Sequence, residues 1–380
     1  MQTDMSLPAW MYYDPGFFEL EREALFRTTW QLVCHLNDVP EPGDYMTLDL
    51  LGERALVLRG NDGEVRAFHN VCRHRAFKLA DGQGNCGLRL TCPYHAWAYD
   101  LDGSLRGAPK WQGFEDLDKA ANSLAPLGME IWRGFVFVRF AQPEAGAAKV
   151  AEMMAPYDAE IAPHAFEDLV PQGRVTLRPR SVNWKNVSDN YSDALHIPVA
   201  HPGLTRLFGS SYAIEAKDWV DKMSGRIVER TSTNWSERAY QKLLPHFDHL
   251  DAEQARTWNY YKLWPNVAFD VYADQVDFMQ FIPVSPTETL IREIAYVRPD
   301  ERREAKAARY LNWRINRQVN AEDTTLIDRV QQGMMSSSYV SGPLAPSEVG
   351  LSAFARRLRQ AIPQASLNHP PQTLTPTRAA

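Results

Sequence analysis

Two histidines close together in the chain carry the first indication of metal chemistry. His196 and His201 lie in the stretch SVNWKNVSDNYSDALHIPVAH with four residues between them, and Asp193 precedes His196 by three. On a helix or a tight helical turn, this gap places both imidazoles near one face. Two histidines and one carboxylate with open positions form the non-haem Fe(II) site of oxygen-activating enzymes. Such a pair is also common on protein surfaces, so the interpretation depends on a second cluster upstream.

The second cluster combines cysteine with histidine. Cys72 and His74 form C-x-H, and seventeen residues after His74 the pair Cys92 and His95 forms C-x-x-H. Two thiolates and two imidazoles could bind a tetrahedral zinc ion. Zinc modules usually place Cys with Cys and His with His, whereas each segment here offers one of each. That pattern favours a [2Fe–2S] cluster in which both cysteines bind one iron and both histidines bind the other.

The two clusters together resemble a known family. The segment FHNVCRHRAFKLADGQGNCGLRLTCPYHAWAYDLDGSL resembles a Rieske domain, and with NWKNVSDNYSDALHIPVAH the chain resembles the α (oxygenase) subunit of the Rieske non-haem iron oxygenases, the aromatic ring-hydroxylating type. The resemblance runs from about Trp30 to Gln332. It implies an α+β fold, with an N-terminal all-β Rieske domain and a C-terminal helix-grip catalytic domain built on an antiparallel sheet. It also implies one [2Fe–2S] cluster and one mononuclear Fe(II) per subunit.

The sequence departs from the family pattern at three positions. Ala76 and Ala96 stand where the family often has glycine, and Leu195 stands where a tyrosine commonly precedes the first iron-binding histidine. These changes concern the shape of the pocket rather than metal binding.

The resemblance assigns the metal ligands. Cys72, His74, Cys92 and His95 are expected to hold the cluster, and His196 and His201 the mononuclear iron. For the third iron ligand, the helix QVNAEDTTLIDRVQQGM offers Glu322, Asp323 and Asp328, and the residues alone leave the choice open. The acidic motif of the family matches Asp323. Glu322 lies about 100° around the helix from Asp323, so we expect it to face elsewhere.

Asp193 has two interpretations. It could be a helix-capping or surface carboxylate. The resemblance gives it a catalytic role, as the link between His196 and His95 of the partner subunit, and thereby implies a ring of subunits, expected to be a homotrimer. Asn190 is expected to reach the iron site only at a distance or through water, and Asp189 to be structural.

Hydrophobic periodicity places these motifs on elements. A helical pattern beginning at residue 15 leads into a strand, WQLVCH, and short strands with an Asn61-Asp62-Gly63 turn follow. Six further strand patterns lie between 173 and 299, and a long helix is predicted over 301–333. We place the linker at 141–150 and expect four regions: an N-terminal helical segment packing on the catalytic domain (1–40), the Rieske domain (41–145), the catalytic domain (146–365) and a flexible tail (366–380).

Composition excludes several classes of protein. The chain has 380 residues and a net charge of −6 without a basic block, which argues against nucleic-acid binding. It has neither a secretory signal nor an apolar run of about 18 residues that could span a membrane. We therefore expect a cytoplasmic protein in which Cys34 and Cys86 are thiols.

These features predict a terminal oxygenase. The chain has no GxGxxG fingerprint near a βαβ pattern, so NAD(P)H must be oxidised by a separate reductase, with or without a ferredoxin. We expect O₂-dependent hydroxylation or dihydroxylation of a small aromatic compound. The alternative substrate is a methylated amine or betaine oxidised at an N-methyl group. A Rieske electron carrier and a zinc hydrolase are the alternatives from other classes. The predicted pocket residues are Leu204, Leu207, Phe208, Tyr260, Trp264, Phe269 and Phe278.

Overall fold

The computed structural model describes residues 4–110, 113, 117–141, 147–229 and 231–371. The predicted linker and the predicted tail both lie partly outside these ranges. The α-helices are α1 (Pro15–Glu21), α2 (Val150–Met154), α3 (Asp158–Ile161), α4 (Trp184–Tyr191), α5 (Ile197–Ala200), α6 (Pro202–Phe208), α7 (Trp235–Leu243), α8 (Arg303–Met334) and α9 (Val349–Ala361). The strands are β1 (Gln31–His35), β2 (Asp44–Leu50), β3 (Glu53–Arg59), β4 (Val65–His69), β5 (Gln83–Asn85), β6 (Leu90–Thr91), β7 (Ala98–Tyr99), β8 (Leu105–Gly107), β9 (Gly128–Trp132), β10 (Phe135–Arg139), β11 (Val170–Pro171), β12 (Thr176–Arg180), β13 (Ala213–Ala216), β14 (Val220–Arg226), β15 (Thr257–Leu263), β16 (Val267–Val271), β17 (Val276–Ser285) and β18 (Glu288–Val297).

The chain divides into two compact units. One comprises Phe26–Ala151 with Phe166–Pro171, and we call it the cysteine unit; the other comprises Met1–Leu25, Glu152–Ala165 and Gln172–Ala380, and we call it the sheet–helix unit. The four regional boundaries that we expect from the sequence stay a prediction.

The cysteine unit is built from antiparallel β-sheets. Its sheets have the strand orders β1-β10-β9, β4-β3-β2-β5 and β6-β7-β8. Strand β10 is buried along its whole length, as its run of apolar residues predicts. The β9–β10 hairpin turns through Arg133 and Gly134, both at positive φ, which suits the right-handed twist of the strands. The segment with Cys72 follows β4 and the segment with Cys92 follows β6, so the sheets present both as loops.

The sheet–helix unit contains one antiparallel sheet and the long helix α8. The sheet runs β18-β17-β16-β15-β14-β13, and β12 pairs with β18. Helix α8 packs against α4, α6 and α7, which matches the predicted arrangement of sheet and long helices. The strand predicted over 225–230 is shifted: β14 begins at Val220 and ends at Arg226.

None of the helices within the described ranges combines the length and the apolar character that crossing a membrane requires.

Candidate active site

The short helix α5 brings the two histidines of the sequence motif together. His196 is the residue before α5 and His201 is the residue after it, so one helical turn separates them. Pro198 and Pro202 sit in the first turns of α5 and α6, where a missing backbone N–H costs nothing. The two Nε2 atoms lie 3.1 Å apart. The predicted convergence of the imidazoles is therefore present.

Asp193 orients the first imidazole. Its Oδ2 accepts from Nδ1 of His196 at 2.9 Å, and its carboxylate also accepts from the backbone N–H groups of Leu195 and His196. Burial by itself raises the pKa of Asp193, but the bonds to His196 and to these N–H groups outweigh it and lower the pKa. The Asp193 side chain thus caps the helical turn and also fixes the orientation of the His196 ring.

The second imidazole is held at both nitrogens by consecutive residues of α8. Nε2 of His201 lies 2.9 Å from Oδ1 of Asp323, and Nδ1 lies 2.7 Å from Oε2 of Glu322. The expectation that Glu322 faces elsewhere is wrong. The 100° between neighbours on a helix does not separate them here, because the longer Glu322 side chain reaches around the ring that Asp323 meets on its other edge.

The donor set fits a metal ion. His196, His201 and Asp323 each offer one ligand atom, and these atoms lie within 4.8 Å of one another. In a neutral imidazole, the nitrogen opposite a donated N–H is an acceptor. The Nδ1 bonds to Asp193 and Glu322 therefore leave both Nε2 lone pairs facing each other. A cation between the two lone pairs would stabilise this arrangement, and carboxylates that hold the far nitrogen are typical of metal-bound histidines.

The charges of the site also fit a bound metal ion. Burial by itself lowers the pKa of His201, which is 1% exposed, but the carboxylates of Asp323 and Glu322 outweigh it and raise the pKa. The same two carboxylates that raise this pKa supply negative charge that a divalent ion would compensate. Asn190 donates directly to Oδ1 of Asp323 at 2.9 Å, closer than the distant or water-mediated role expected for it. Asp189 accepts from the hydroxyl of Tyr12 at 2.6 Å.

The two cysteine loops have the same backbone pattern. Cys72 N donates to Phe77 O at 2.8 Å and Ala76 N to Cys72 O at 3.0 Å; Cys92 N donates to Trp97 O at 2.8 Å and Ala96 N to Cys92 O at 2.9 Å. Each loop closes through an alanine at positive φ, 57° for Ala76 and 53° for Ala96. These are the positions where the family often has glycine, and the structure shows why: the loop requires the left-handed conformation.

In these loops the two cysteine side chains lie next to each other, and so do the two imidazoles. Both sulfurs are buried, and the imidazoles of His74 and His95 are half-buried with centroids 4.7 Å apart. Burial raises the pKa of Cys92, backbone N–H groups of the loop oppose this, and the neighbouring Cys72 raises it further. Two thiols side by side and two imidazoles side by side match the ligand set of a Rieske cluster.

The iron-site residues open into a cavity of about 550 Å³ within the sheet–helix unit. Of the residues predicted to line it, Leu204, Tyr260 and Phe278 do so. The other four, Leu207, Phe208, Trp264 and Phe269, are core side chains that do not line the cavity, so their assignment to the pocket is wrong.

One wall of the cavity is acidic and aromatic. Tyr260, Asp270 and Asp277 lie opposite one another on β15, β16 and β17 and so share a face of the sheet. The hydroxyls of Tyr191 and Tyr272 donate to Asp270. Burial raises the pKa of Asp270 to about 7 and that of Asp277 well above its usual range. No cationic side chain that the structure describes pairs with either carboxylate.

Two family models match the chain. "Ring hydroxylating alpha subunit (catalytic domain)" covers residues 166–364 and "Rieske [2Fe-2S] domain" covers residues 29–118. Together they span both candidate metal sites.

Two curated relatives match over most of their length. The carnitine monooxygenase oxygenase subunit of Acinetobacter pittii (strain PHEA-2) is 32% identical over 88% of this chain and 86% of that protein. The chloroplastic choline monooxygenase of Spinacia oleracea is 30% identical over 93% and 78%.

Solved structures agree in fold. The quaternary ammonium Rieske monooxygenase CntA in complex with L-carnitine is 26% identical with a TM-score of 0.78, covering 94% of this chain and 96% of that one. Naphthalene 1,2-dioxygenase from Rhodococcus sp., bound to indole, shares the fold at 19% identity, with a TM-score of 0.74 and 95% coverage of each chain.

Proposed function

Because the chain belongs to the ring-hydroxylating alpha subunit family of Rieske oxygenases, we propose that it hydroxylates a quaternary ammonium compound at a carbon attached to the nitrogen. As a terminal oxygenase of this family it uses O₂ and electrons from a reductase, with a [2Fe–2S] cluster and a mononuclear iron as cofactors. This substrate corresponds to the methylated-amine alternative of the sequence analysis. The first choice there, an aromatic compound, has no support from the two curated relatives described above, which are a carnitine and a choline monooxygenase.

The acidic and aromatic wall of the cavity carries the proposal. Tyr191, Tyr212 and Tyr260 line the cavity beside Asp270 and Asp277. The face of an aromatic ring attracts a cation that has no N–H to donate, as a quaternary ammonium does. Burial without a cationic partner raises the pKa of both carboxyl groups, and a bound cation would favour their ionised, attractive form. An aromatic hydrocarbon offers neither carboxyl group an opposite charge.

Each group of residues has a separate role in the proposed reaction. His196, His201 and Asp323 would hold the iron, while Cys72, His74, Cys92 and His95 would hold the cluster. The iron, when bound, supplies O₂ activation. Asp193 and Glu322 keep Nδ1 of each imidazole occupied so that Nε2 stays an acceptor. The tyrosine rings exclude water from the ammonium and turn one of its carbons toward the metal ligands.

The overall reaction balances with one O₂ and two electrons. Substrate R₃N⁺–CH₂R′ takes one oxygen atom to give R₃N⁺–CH(OH)R′, and the other atom leaves as water with two protons. The hydroxylated carbon then releases its C–N electron pair to nitrogen. This gives a tertiary amine, the carbonyl compound R′CHO and a proton. The reductase, with or without a ferredoxin, supplies the electrons.

We also propose that the chain works as a homotrimer in the cytoplasm. Leu195 and Val199, beside His196, are 51% and 86% exposed; Leu88 and Tyr94, in the cysteine unit, are 77% and 52% exposed. Exposed apolar side chains next to both metal sites suit a surface covered by a second copy. Sedimentation of the native protein tests this assembly. Thiols at Cys34 and Cys86 suit a reducing compartment.

A substrate panel tests the proposed activity. Protein reconstituted with a reductase is incubated with trimethylammonium compounds and, separately, with aromatic acids, and amine and phenol products are quantified. The proposal requires tertiary amine from at least one ammonium compound. Asp270→Asn should raise KM for that compound, while Asp248→Asn, at an exposed carboxylate that does not line the cavity, should leave KM unchanged. Hydroxylation of an aromatic acid without turnover of any ammonium compound would contradict the proposal.

A further inference from the structure

A basic strand lies on the same sheet face as the acidic wall, separated from it by β18. Strand β12 alternates, so Thr176, Arg178 and Arg180 share one face, and all three line the cavity. Their partners on β18 are Glu293, Ile291 and Thr289 in that order. The same sheet face therefore changes from acidic on β16 and β17 to basic on β12.

The two arginines of this strand are in different electrostatic states. Arg178 is ion-paired with Glu293. Arg180 donates only to neutral oxygens, the side-chain oxygen of Asn320 at 2.6 Å and the backbone oxygen of Pro179 at 3.0 Å. Within the described part of the chain, no carboxylate lies at ion-pairing distance from Arg180.

The position of Arg180 relates it to the iron site. Asn320 precedes Asp323 by three residues on α8, which is close to one helical turn. The guanidinium bonded to Asn320 thus enters the cavity near the proposed iron ligands. Burial lowers the pKa of Arg180 and repulsion from Arg178 lowers it further, while the more distant carboxylates of Glu293 and Asp323 offset this only in part. A half-buried guanidinium beside a second one, with open donors, is stabilised by an anion in the cavity.

We infer that the substrate is a zwitterion and that Arg180 binds its carboxylate while the tyrosine and aspartate wall receives its ammonium. The inference rests on the proposed function and sharpens it. The relatives include enzymes named for carnitine, which bears a carboxylate, and for choline, which does not. A choline-like cation would leave Arg180 without a carboxylate at ion-pairing distance, so the basic strand favours the carboxylate-bearing class.

Equilibrium binding tests the inference without relying on turnover. The anaerobic protein, loaded with cluster and iron, is titrated calorimetrically with three probes: γ-butyrobetaine, its primary carboxamide, and choline. The carboxamide keeps the size and the ammonium and removes only the negative charge. We expect the zwitterion to bind at least about tenfold more tightly than its carboxamide, as a charge-assisted bond to arginine provides.

Substitutions of the strand separate recognition from structure. Arg180→Gln should weaken γ-butyrobetaine about 10–100-fold and leave the carboxamide and choline within about twofold, with Arg180→Lys in between. Arg356→Gln is the control and should leave the binding of all three probes unchanged, because Arg356 is an exposed arginine of α9 that does not line the cavity. Unchanged cluster absorption and carboxamide binding show that Arg180→Gln is folded.

Three results would overturn the inference. Equal binding of the zwitterion and the carboxamide would remove the need for an anion site. An equal loss of all three probes in Arg180→Gln would make Arg180 structural, and no loss would make it irrelevant. If choline and the carboxamide bind as well as the zwitterion, only this inference fails. If none of the three binds, the proposed function fails with it.

Discussion

Glu322 and His201 form the least expected contact of the iron site: Oε2 of Glu322 lies 2.7 Å from Nδ1 of His201. The neighbouring residue Asp323 meets the same ring at Nε2. One imidazole is thus held between two consecutive carboxylates of α8. The two carboxylates have different roles, since only Asp323 lies near the Nε2 atoms of both His201 and His196, which a metal would contact.

Substitution of Asp323 and substitution of Glu322 should affect iron binding to different degrees. Asp323→Ala should lose the mononuclear iron, and Glu322→Gln should weaken iron binding about 10–100-fold, because a neutral amide replaces the charged carboxylate that holds the far nitrogen of His201. The measurement is iron bound per subunit at a series of chelator concentrations, with cluster absorption as an internal reference. Asp328→Asn, at a partly exposed carboxylate of α8 that does not line the cavity, is the control. If Glu322→Gln binds iron as tightly as Asp328→Asn does, Glu322 has no role in holding His201 for the metal.

The sequence predicts the iron site well where ligands are local and less well where they are distant. The gap between His196 and His201 is a local property of one helical turn, and the structure keeps it. Glu322 was assigned by angle alone. Angle around a helix ignores side-chain length, and one extra methylene is enough to reach the far nitrogen of the ring.

The cavity wall illustrates what one-dimensional patterns omit. Tyr260, Asp270 and Asp277 are separated in sequence and become neighbours only through the register of β15, β16 and β17. Apolar content led instead to Trp264 and Phe269, which are core residues. The sequence feature that indicates this wall is one aspartate within each of two apolar strands, Asp270 in β16 and Asp277 in β17. A carboxyl group is costly to bury, so its presence there suggests a function. The substrate class depends on that register and on the relatives, and not on composition.

Asp193 should affect electron transfer more than iron binding. Asp193→Asn keeps the size of the side chain but removes the charge that holds His196 and, in the proposed trimer, faces His95 of the partner subunit. Iron affinity should fall about 10–100-fold, so iron-replete protein can still be prepared. In that protein a reduced cluster should fail to reoxidise when substrate and O₂ are added, as followed by visible absorption.

Glu322→Gln is the matched control for this experiment. It changes the carboxylate behind the other imidazole and lies outside the proposed path. Iron-replete Glu322→Gln should therefore reoxidise at close to the parent rate. Normal reoxidation in Asp193→Asn would remove the linking role and the functional reason for a trimer.

The cluster loops should be stabilised by glycine. Ala76 and Ala96 adopt φ of 57° and 53°, which costs an L-residue roughly 1–2 kcal/mol, partly offset by the greater unfolded-state freedom of glycine. Ala76→Gly and Ala96→Gly should each raise the free energy of unfolding by about 0.5–1 kcal/mol. Denaturant unfolding monitored by cluster absorption measures this.

An alanine in ordinary helical conformation provides the comparison for the glycine variants. Ala307→Gly, within α8, should lower stability by about 1 kcal/mol. If all three glycine substitutions destabilise the protein equally, the left-handed strain in the cluster loops is not real.

The buried ion pair of Glu21 and Lys185 should contribute to stability only as a pair. Their side chains are 0% exposed and 2.7 Å apart. Glu21→Gln leaves an unpaired buried ammonium and should cost about 3–5 kcal/mol. The double variant Glu21→Gln/Lys185→Met should recover most of this loss in thermal or denaturant unfolding. Glu19→Gln, which removes the exposed pair with Arg22, should cost less than about 1 kcal/mol. Equal losses in Glu21→Gln and the double variant would show that the charges are not coupled.

The ratio of O₂ consumed to tertiary amine released tests the central claim most directly. The complete protein with its reductase is supplied with NADH and a limiting amount of γ-butyrobetaine, and both quantities are measured in the same vessel. Hydroxylation next to the quaternary nitrogen predicts one amine released per O₂ consumed and per NADH oxidised, with neither reaction in His201→Ala. Amine release of the same size under argon, or O₂ consumption without amine, would contradict the claim.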